Sequence, residues 1–419
     1  MFYLATPSEL ALSEDADVIM AKAVPFFIIF IVLEAFIGHV VLRRSVYSPD
    51  DTMISILMGS IQQNVQLWAK PAMITVYSRL YARYGLHVLE DDSFFTWAFV
   101  LLAIDFFYYW FHRWSHELHL GWATHSVHHS GEFMNMATAL RQGSFQWVLS
   151  FLFYLPLALI VPPGPYMCHS VANLLFQFWF HTPLVGWMGP LEYIVNTPSS
   201  HRMHHRPPGN CNYAGVLIVW DKMFGTYVVE DEQRDYYGLA KQYATLDPLW
   251  ANAEHASRMV RNVDQGKSGA LALLKRRVHH PIVFQPWKLF EAVTPPAPAS
   301  KDTPTRRKLV AQTPLALYAY CGVVFSMYLA FSVALGAAVD DGELARGWTL
   351  ALAQGAFFAA ASCVGQLMTD GRSSKAVQRN ALRVAGVAVG CWWMGAPELV
   401  LYGAMADAAL FVAAYLVSM

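Results

Sequence analysis

Eight of the chain's 16 histidines fall into three short boxes, and any fold this sequence adopts must bring them to order. His112 and His116 are spaced H-x3-H. His125, His128 and His129 are spaced H-x2-H-H, and His201, His204 and His205 repeat that spacing. Residues three and four apart share a helix face, so each box aims its imidazoles one way. Imidazole is a neutral ligand that suits iron, zinc or copper. A structural zinc ion is satisfied by about four ligands, so eight match two ions better than one. Zinc also lacks the redox chemistry that attack on an alkyl chain needs. A surface tract that binds metal by accident would not give three boxes at helical spacing.

The rest of the chain reads as membrane protein. It has 419 residues, of which 55% are hydrophobic and 14% charged, with a mean hydropathy of +0.32. Soluble proteins carry nearer a quarter charged residues. Apolar runs at 24–42, 53–81, 94–111, 146–161, 166–185, 314–339, 348–368, 383–396 and 398–418 predict an all-α, polytopic transmembrane helix bundle. That is about nine spans, with a cytosolic helical cap holding the histidines. The run 162–165 (Pro-Pro-Gly-Pro) reads as a tight turn between antiparallel helices. Lys and Arg bias places Arg43, Arg44, the histidine region, the basic stretch 258–308 and a loop with Arg372, Lys375, Arg379 and Arg383 in the cytosol. Arg79 and Arg83 fall on the opposite side. The acidic N-terminus (Glu9, Glu14, Asp15, Asp17) is not the basic start of a signal peptide. Three regions are expected: a catalytic membrane domain with its cap over 1–290, a Pro-rich linker over 291–313, and a C-terminal transmembrane block over 314–419. A net charge of −1 excludes nucleic acid as the natural partner, and five cysteines without a C-x-x-C pair exclude a disulfide framework or a cysteine zinc site.

The boxes sit where predicted helices leave the membrane on one side, where a lipid tail can reach a metal centre from the bilayer. His181, near the exit of the 166–185 helix, offers a ninth nitrogen. His119, three after His116, is expected to point aside. Glu117 can orient a ligand histidine or relay protons. Asp105 lies seven residues before His112 on the same helical face, and an intramembrane acid tends to be functional. Asp221, in an apolar stretch, is expected to hydrogen-bond a ligand histidine. Glu34, Glu398 and Asp407 are further acids in or near spans. The aromatic run 106–111 reads as an interfacial belt in preference to a stacking platform for a ligand.

The text around the boxes resembles the fatty acid hydroxylase (sterol desaturase) superfamily of membrane di-iron enzymes, and in particular its ether-lipid monooxygenases. The resemblance is carried by HRWSHE (112–117), WATHSVHHS (122–130), ATALRQ (137–142), NTPSSHRMHH (196–205) and NYAGVLIVWDKMFGT (212–226). FWFHT (178–182), with His181, and TDGR (369–372) are compatible with it. It implies two Fe ions on the box histidines and a need for Glu117. It also implies tetrahydrobiopterin or another electron donor, and O2-dependent cleavage of the ether bond of a membrane glycerol ether, with release of a fatty aldehyde. RPPGNC (206–211) departs from the pattern by being short. Two other readings stay open. A sterol, carotenoid or fatty-acyl hydroxylase would use the same irons with another donor. A metal transporter would spread its ligands along a transmembrane path.

Overall fold

The computed structural model describes residues 13–90, 93–230, 237–264, 282–290, 314–340, 348–370, 373–393, 407 and 409–414. Twelve α-helices are found among these residues. They are α1 (Ser13–Phe36), α2 (Pro49–Tyr84), α3 (Phe94–Glu117), α4 (His119–His125), α5 (Gln146–Tyr154), α6 (Pro163–Trp179), α7 (Pro198–His205), α8 (Val219–Met223), α9 (Pro248–Asp264), α10 (Leu315–Asp340), α11 (Trp348–Asp370) and α12 (Ser374–Trp393). The described part has no extended sheet; a single bridge pairs Val195 with Leu217.

Among the described residues, two segments are long and apolar enough to cross a membrane, Lys22–Val41 and Phe94–Glu117. On the first, Ile28, Ile29, Val32, Val40 and Val41 are exposed, an apolar surface that lipid covers better than water. Shorter apolar stretches cover Gln146–Leu159, Leu315–Met327 and Phe357–Thr369 among the described residues. α2 has 36 residues but is diluted by Gln62, Gln63, Asn64, Gln66 and Lys70. α5 stops after nine residues, and a 3-10 turn carrying Pro156 follows it over Leu155–Leu159. The expected turn at 162–165 is narrower, because α6 already starts at Pro163. Proline suits a first helical turn, where no N–H partner is lost. Lys375, Arg379 and Arg383, expected in a loop, lie on α12. The linker 291–313, Glu398 and most of the last expected span lie outside the described residues.

Two cores result. One joins α2, α3, α5 and α6 through Tyr77, Val100, Ile104, Phe151, Met167 and Val171, with Tyr77 stacked on Tyr166 at 4.2 Å. The other joins the N-terminal half of α2 to residues 239–251, α10 and α11, and it includes Val127 from the second histidine box. Two of the acids left without a role by the sequence are paired here. Glu34 accepts from Met136 N at 2.8 Å and from the Tyr47 hydroxyl. Asp407 accepts from Arg383 at 2.6 Å and from Tyr320 at 2.7 Å, a buried pair inside the C-terminal block.

Candidate metal centre

The first box is the last turn of α3, where H-x3-H puts His112 and His116 one above the other on the inner face. The second follows at once. α4 ends on His125, and a 3-10 turn carries His128 and His129. The third is α7, which opens on Thr197, its hydroxyl accepting from Ser200 N, and on Pro198 in its first turn. His181 lies just past the end of α6. All nine histidines are buried.

They separate into two groups. His112, His116, His125, His129 and His204 offer nitrogens that all lie within 4.8 Å of one another, and so do His128, His181, His201 and His205. The protonation pattern follows from the partners. Nδ1 of His112 donates to Tyr213 O (2.7 Å), that of His128 to Arg141 O (2.8 Å), that of His181 to Gln177 O (2.8 Å) and that of His204 to Cys211 O (2.8 Å). His125 Nδ1 donates to Gln146 Oε1 at 3.0 Å. A carbonyl only accepts, so these rings carry the proton on Nδ1 and a lone pair on Nε2. Yet Nε2 of His112 and Nε2 of His125 are 3.0 Å apart, and Nε2 of His128 and Nε2 of His181 are 3.4 Å apart. Lone pairs that face each other need a shared cation. Two nitrogens on one ion, each about 2.1 Å from it at a right angle, would stand about 3 Å apart. His204 Nε2, His205 Nε2 and both nitrogens of His116 are buried without a hydrogen-bond partner. The residues present therefore fit two metal ions.

The electrostatics agree. Burial pushes His125 down to about 4 and His204 down to about 3, with hydrogen bonds to Gln146 and Cys211 opposing. Burial, with neighbouring imidazoles second, holds His128, His129, His201 and His205 well below the ordinary histidine range. The cluster is neutral at pH 7, the state a metal ligand requires.

The three carboxylates singled out from the sequence sit around this centre in different ways. Glu117 is fully buried and accepts from Arg113 Nε at 3.0 Å. Asp221 does not bond a histidine directly. It accepts from Tyr213 N, Ala214 N and the Thr226 hydroxyl, and so holds the loop whose Tyr213 carbonyl receives His112. Burial raises it to about 6, against these donors and Arg113. Asp105 accepts from Asn173, Val216 N, Leu217 N and Trp220 Nε1. It anchors the same loop at its far end, and Gly215 permits the approach, since a Cβ there would lie 2.9 Å from Asp105 Oδ1. The aromatic run packs inward on this loop too: Phe106 meets Trp220 at 5.2 Å and Trp110 meets Phe224 at 4.9 Å. His119 belongs to neither group; its ring stacks on His255.

Several residues were not visible as functional in the sequence. Arg202, inside the third box, forms two bonds with Glu230 at 2.8 and 2.7 Å. Arg141 pairs with Asp51 at 2.6 Å while its carbonyl receives His128. Tyr213 packs its ring 5.2 Å from His116, with its hydroxyl buried and unpartnered. The arginines inside or beside the boxes were the available signal: a charge among ligands needs a buried counter-charge.

Residues 97–226 match the family model for fatty acid hydroxylase. The matched segment contains every one of the nine clustered histidines. The chain is 42% identical over 260 residues to an alkylglycerol monooxygenase of Homo sapiens, covering 61% of this chain and 58% of the relative. It is 34% identical over 255 residues to an alkylglycerol monooxygenase of Caenorhabditis elegans, covering 59% and 50%. An ornithine lipid hydroxylase of Rhizobium tropici is 31% identical over 136 residues, covering 30% of this chain and 40% of the relative. The chain thus spans between half and three fifths of the length of the alkylglycerol monooxygenases it matches. No solved structure matches it.

Proposed function

We propose that this chain is a di-iron membrane monooxygenase that hydroxylates the carbon next to the ether oxygen of alkylglycerol lipids. The observation that carries the reading is the division of nine buried, neutral histidines into a group of five and a group of four. The likeness to alkylglycerol monooxygenases directs the choice of substrate. Hydroxylation beside the ether oxygen gives a hemiacetal, which collapses to a fatty aldehyde and a glycerol derivative. One atom of O2 enters the C–H bond and the other leaves as water, with two electrons and two protons drawn from a donor such as tetrahydrobiopterin. Two irons, when bound, supply oxygen activation and hydrogen abstraction.

The chain's own residues supply the rest. His112, His116, His125, His129 and His204 would hold one ion, and His128, His181, His201 and His205 the other. Carbonyls at residues 141, 177, 211 and 213 fix the Nδ1 tautomers, so that Nε2 faces the ion. Asp221 and Asp105 are positioning residues, because they hold the loop that carries Tyr213. Glu117, tied to Arg113 behind the first box, sets the orientation of that box or passes protons to its rim. Charge bias places the three boxes on the cytosolic face of a multi-pass bundle, with 1–290 catalytic and 314–419 a second membrane block.

Purified protein is expected to hold two irons per chain and to release aldehyde from an alkylglycerol only with a pterin present. Sterol, free fatty acid and ornithine lipid are run beside it. Stoichiometric zinc after iron-replete expression, or turnover of one of those lipids in place of alkylglycerol, would overturn the reading.

A further inference from the structure

The C-terminal helices lie outside the hydroxylase match, and the histidine chemistry gives them no task. Their contacts do. Residues 239–251 form a strap between the matched segment and α11. On its inner side the Tyr243 hydroxyl donates to Ser126 Oγ at 2.8 Å, and Gln242 Nε2 donates to Ser130 O. Val127 shares one buried core with Leu239, Tyr243 and Leu246 of the strap and with Phe357 and Leu367 of α11. Ser126 and Val127 lie between His125 and His128, and Ser130 directly follows His129, so the strap grips the second box within it and at its end.

On its outer side the strap is fixed by α11. Leu246 N donates to the Thr369 hydroxyl at 2.7 Å. Asp247 Oδ2 accepts from Ser362 and from Gln366, both at 2.7 Å. Its other oxygen accepts from Leu249 N and Trp250 N, so the same carboxylate also caps α9. Gly365 makes the approach possible. A Cβ there would collide with the Leu246 carbonyl and lie 2.6 Å from Asp247 Cα.

We infer that α11 is a clamp on the second histidine box, acting through the strap, and that Thr369, Gly365 and Asp247 are positioning residues for the metal centre. The second box is the one where such a clamp matters most. It gives His125 and His129 to the five-histidine group and His128 to the other, so one displacement disturbs both. The third box is held separately, by Arg202 on Glu230 and by Asn212 Nδ2 on Ser200 O. The functional meaning of the clamp rests on the metal reading above; its mechanical part does not.

The test compares Gly365→Ala and Thr369→Val with Gly355→Ala, where a Cβ meets nothing within 4 Å, and with the conservative Thr369→Ser. Amide hydrogen exchange is measured on the full metal-free chain in lipid nanodiscs. Gly365→Ala and Thr369→Val are expected to raise exchange across 122–130 by about tenfold or more while 198–205 stays as in the parent chain. Gly355→Ala and Thr369→Ser should match the parent. Unchanged protection of 122–130, or equal loss at both boxes, overturns the clamp. If Gly365→Ala fails to fold, Thr369→Val alone decides. Cobalt(II) titration of the same samples should show affinity lower by about ten- to a hundredfold in the two clamp variants. A parent chain that takes up no cobalt would overturn the metal reading and leave the exchange result to judge the clamp.

Discussion

Replacing Asp221 by Asn keeps its size and turns one acceptor oxygen into a donor. Three donors converge on that carboxylate, so at least one must then face an NH2 group. The Tyr213 carbonyl moves with its loop, and His112 loses a fixed tautomer. Turnover is expected to fall about ten- to a hundredfold with iron partly retained, as for other partners one step behind a ligand. Wild-type turnover of Asp221→Asn would show that the loop is fixed by other means. Tyr213→Phe removes a buried hydroxyl that has no partner. Leaving such a group dry costs about 1–3 kcal/mol, so the variant should melt no lower than the parent chain, and a clear drop would point to a bonded hydroxyl. At this scale the box histidines were legible in the sequence because helical spacing alone groups them. His119 does point aside as expected, although its spacing from His116 would allow a shared face: α3 ends at Glu117 and His119 opens α4. The role of Asp221 was not, because its partners are backbone N–H groups that no sequence pattern displays.

α3 carries a span, a ligand pair and an ion pair within 24 residues. Arg113 and Glu117 are both fully buried, one turn apart, on the side of α3 that carries Tyr109 and faces Phe224. Removing one member of such a pair strands the other and costs roughly 3–5 kcal/mol. Glu117→Ala should therefore be inactive for reasons of folding alone. The double variant Arg113→Met with Glu117→Leu separates the two effects, since apolar replacement of both partners is often close to neutral. It is expected to recover most of the melting temperature and none of the turnover. A double variant as active as the parent would reduce the pair to packing. Elements were legible in proportion to how much of their stability is local. Long apolar runs announced α1, α3, α10 and α11. α4 and α7 carry polar boxes whose helicity depends on what the histidines and arginines meet, and their limits came only with the structure. α12 was read as starting at residue 383, since the apolar run hides the charged first turns that precede it.

At the scale of the whole molecule, six of the clustered imidazoles act together as vacant proton-binding sites. Each ring of the unfolded chain titrates near its ordinary value of about 6.5. In the folded chain burial holds His125 at about 4 and His204 at about 3, and His128, His129, His201 and His205 are displaced the same way. Below pH 6.5 the unfolded state then binds more protons, so folding stability falls with pH. The stability is complete above about 6.5 and is lost as pH falls toward 4. Each unit of displacement corresponds to about 1.4 kcal/mol, so His125 alone accounts for something on the order of 3 kcal/mol over that window. Asp221 works in the opposite sense. Its folded value, raised to about 6, gives stability as pH falls through 6, but it is one group against six. The metal-free chain should therefore show a melting temperature that declines steadily from pH 7 to pH 4.5. Bound metal stabilises by mass action above that window and competes with protons for the same lone pairs inside it. The loaded protein should start higher and meet the metal-free curve near the acid end, where the ions are released. Differential scanning calorimetry of both forms in one detergent measures this. A flat or rising profile for the metal-free chain would mean that the histidines are not held neutral, and the cluster would then not be a pre-formed metal centre.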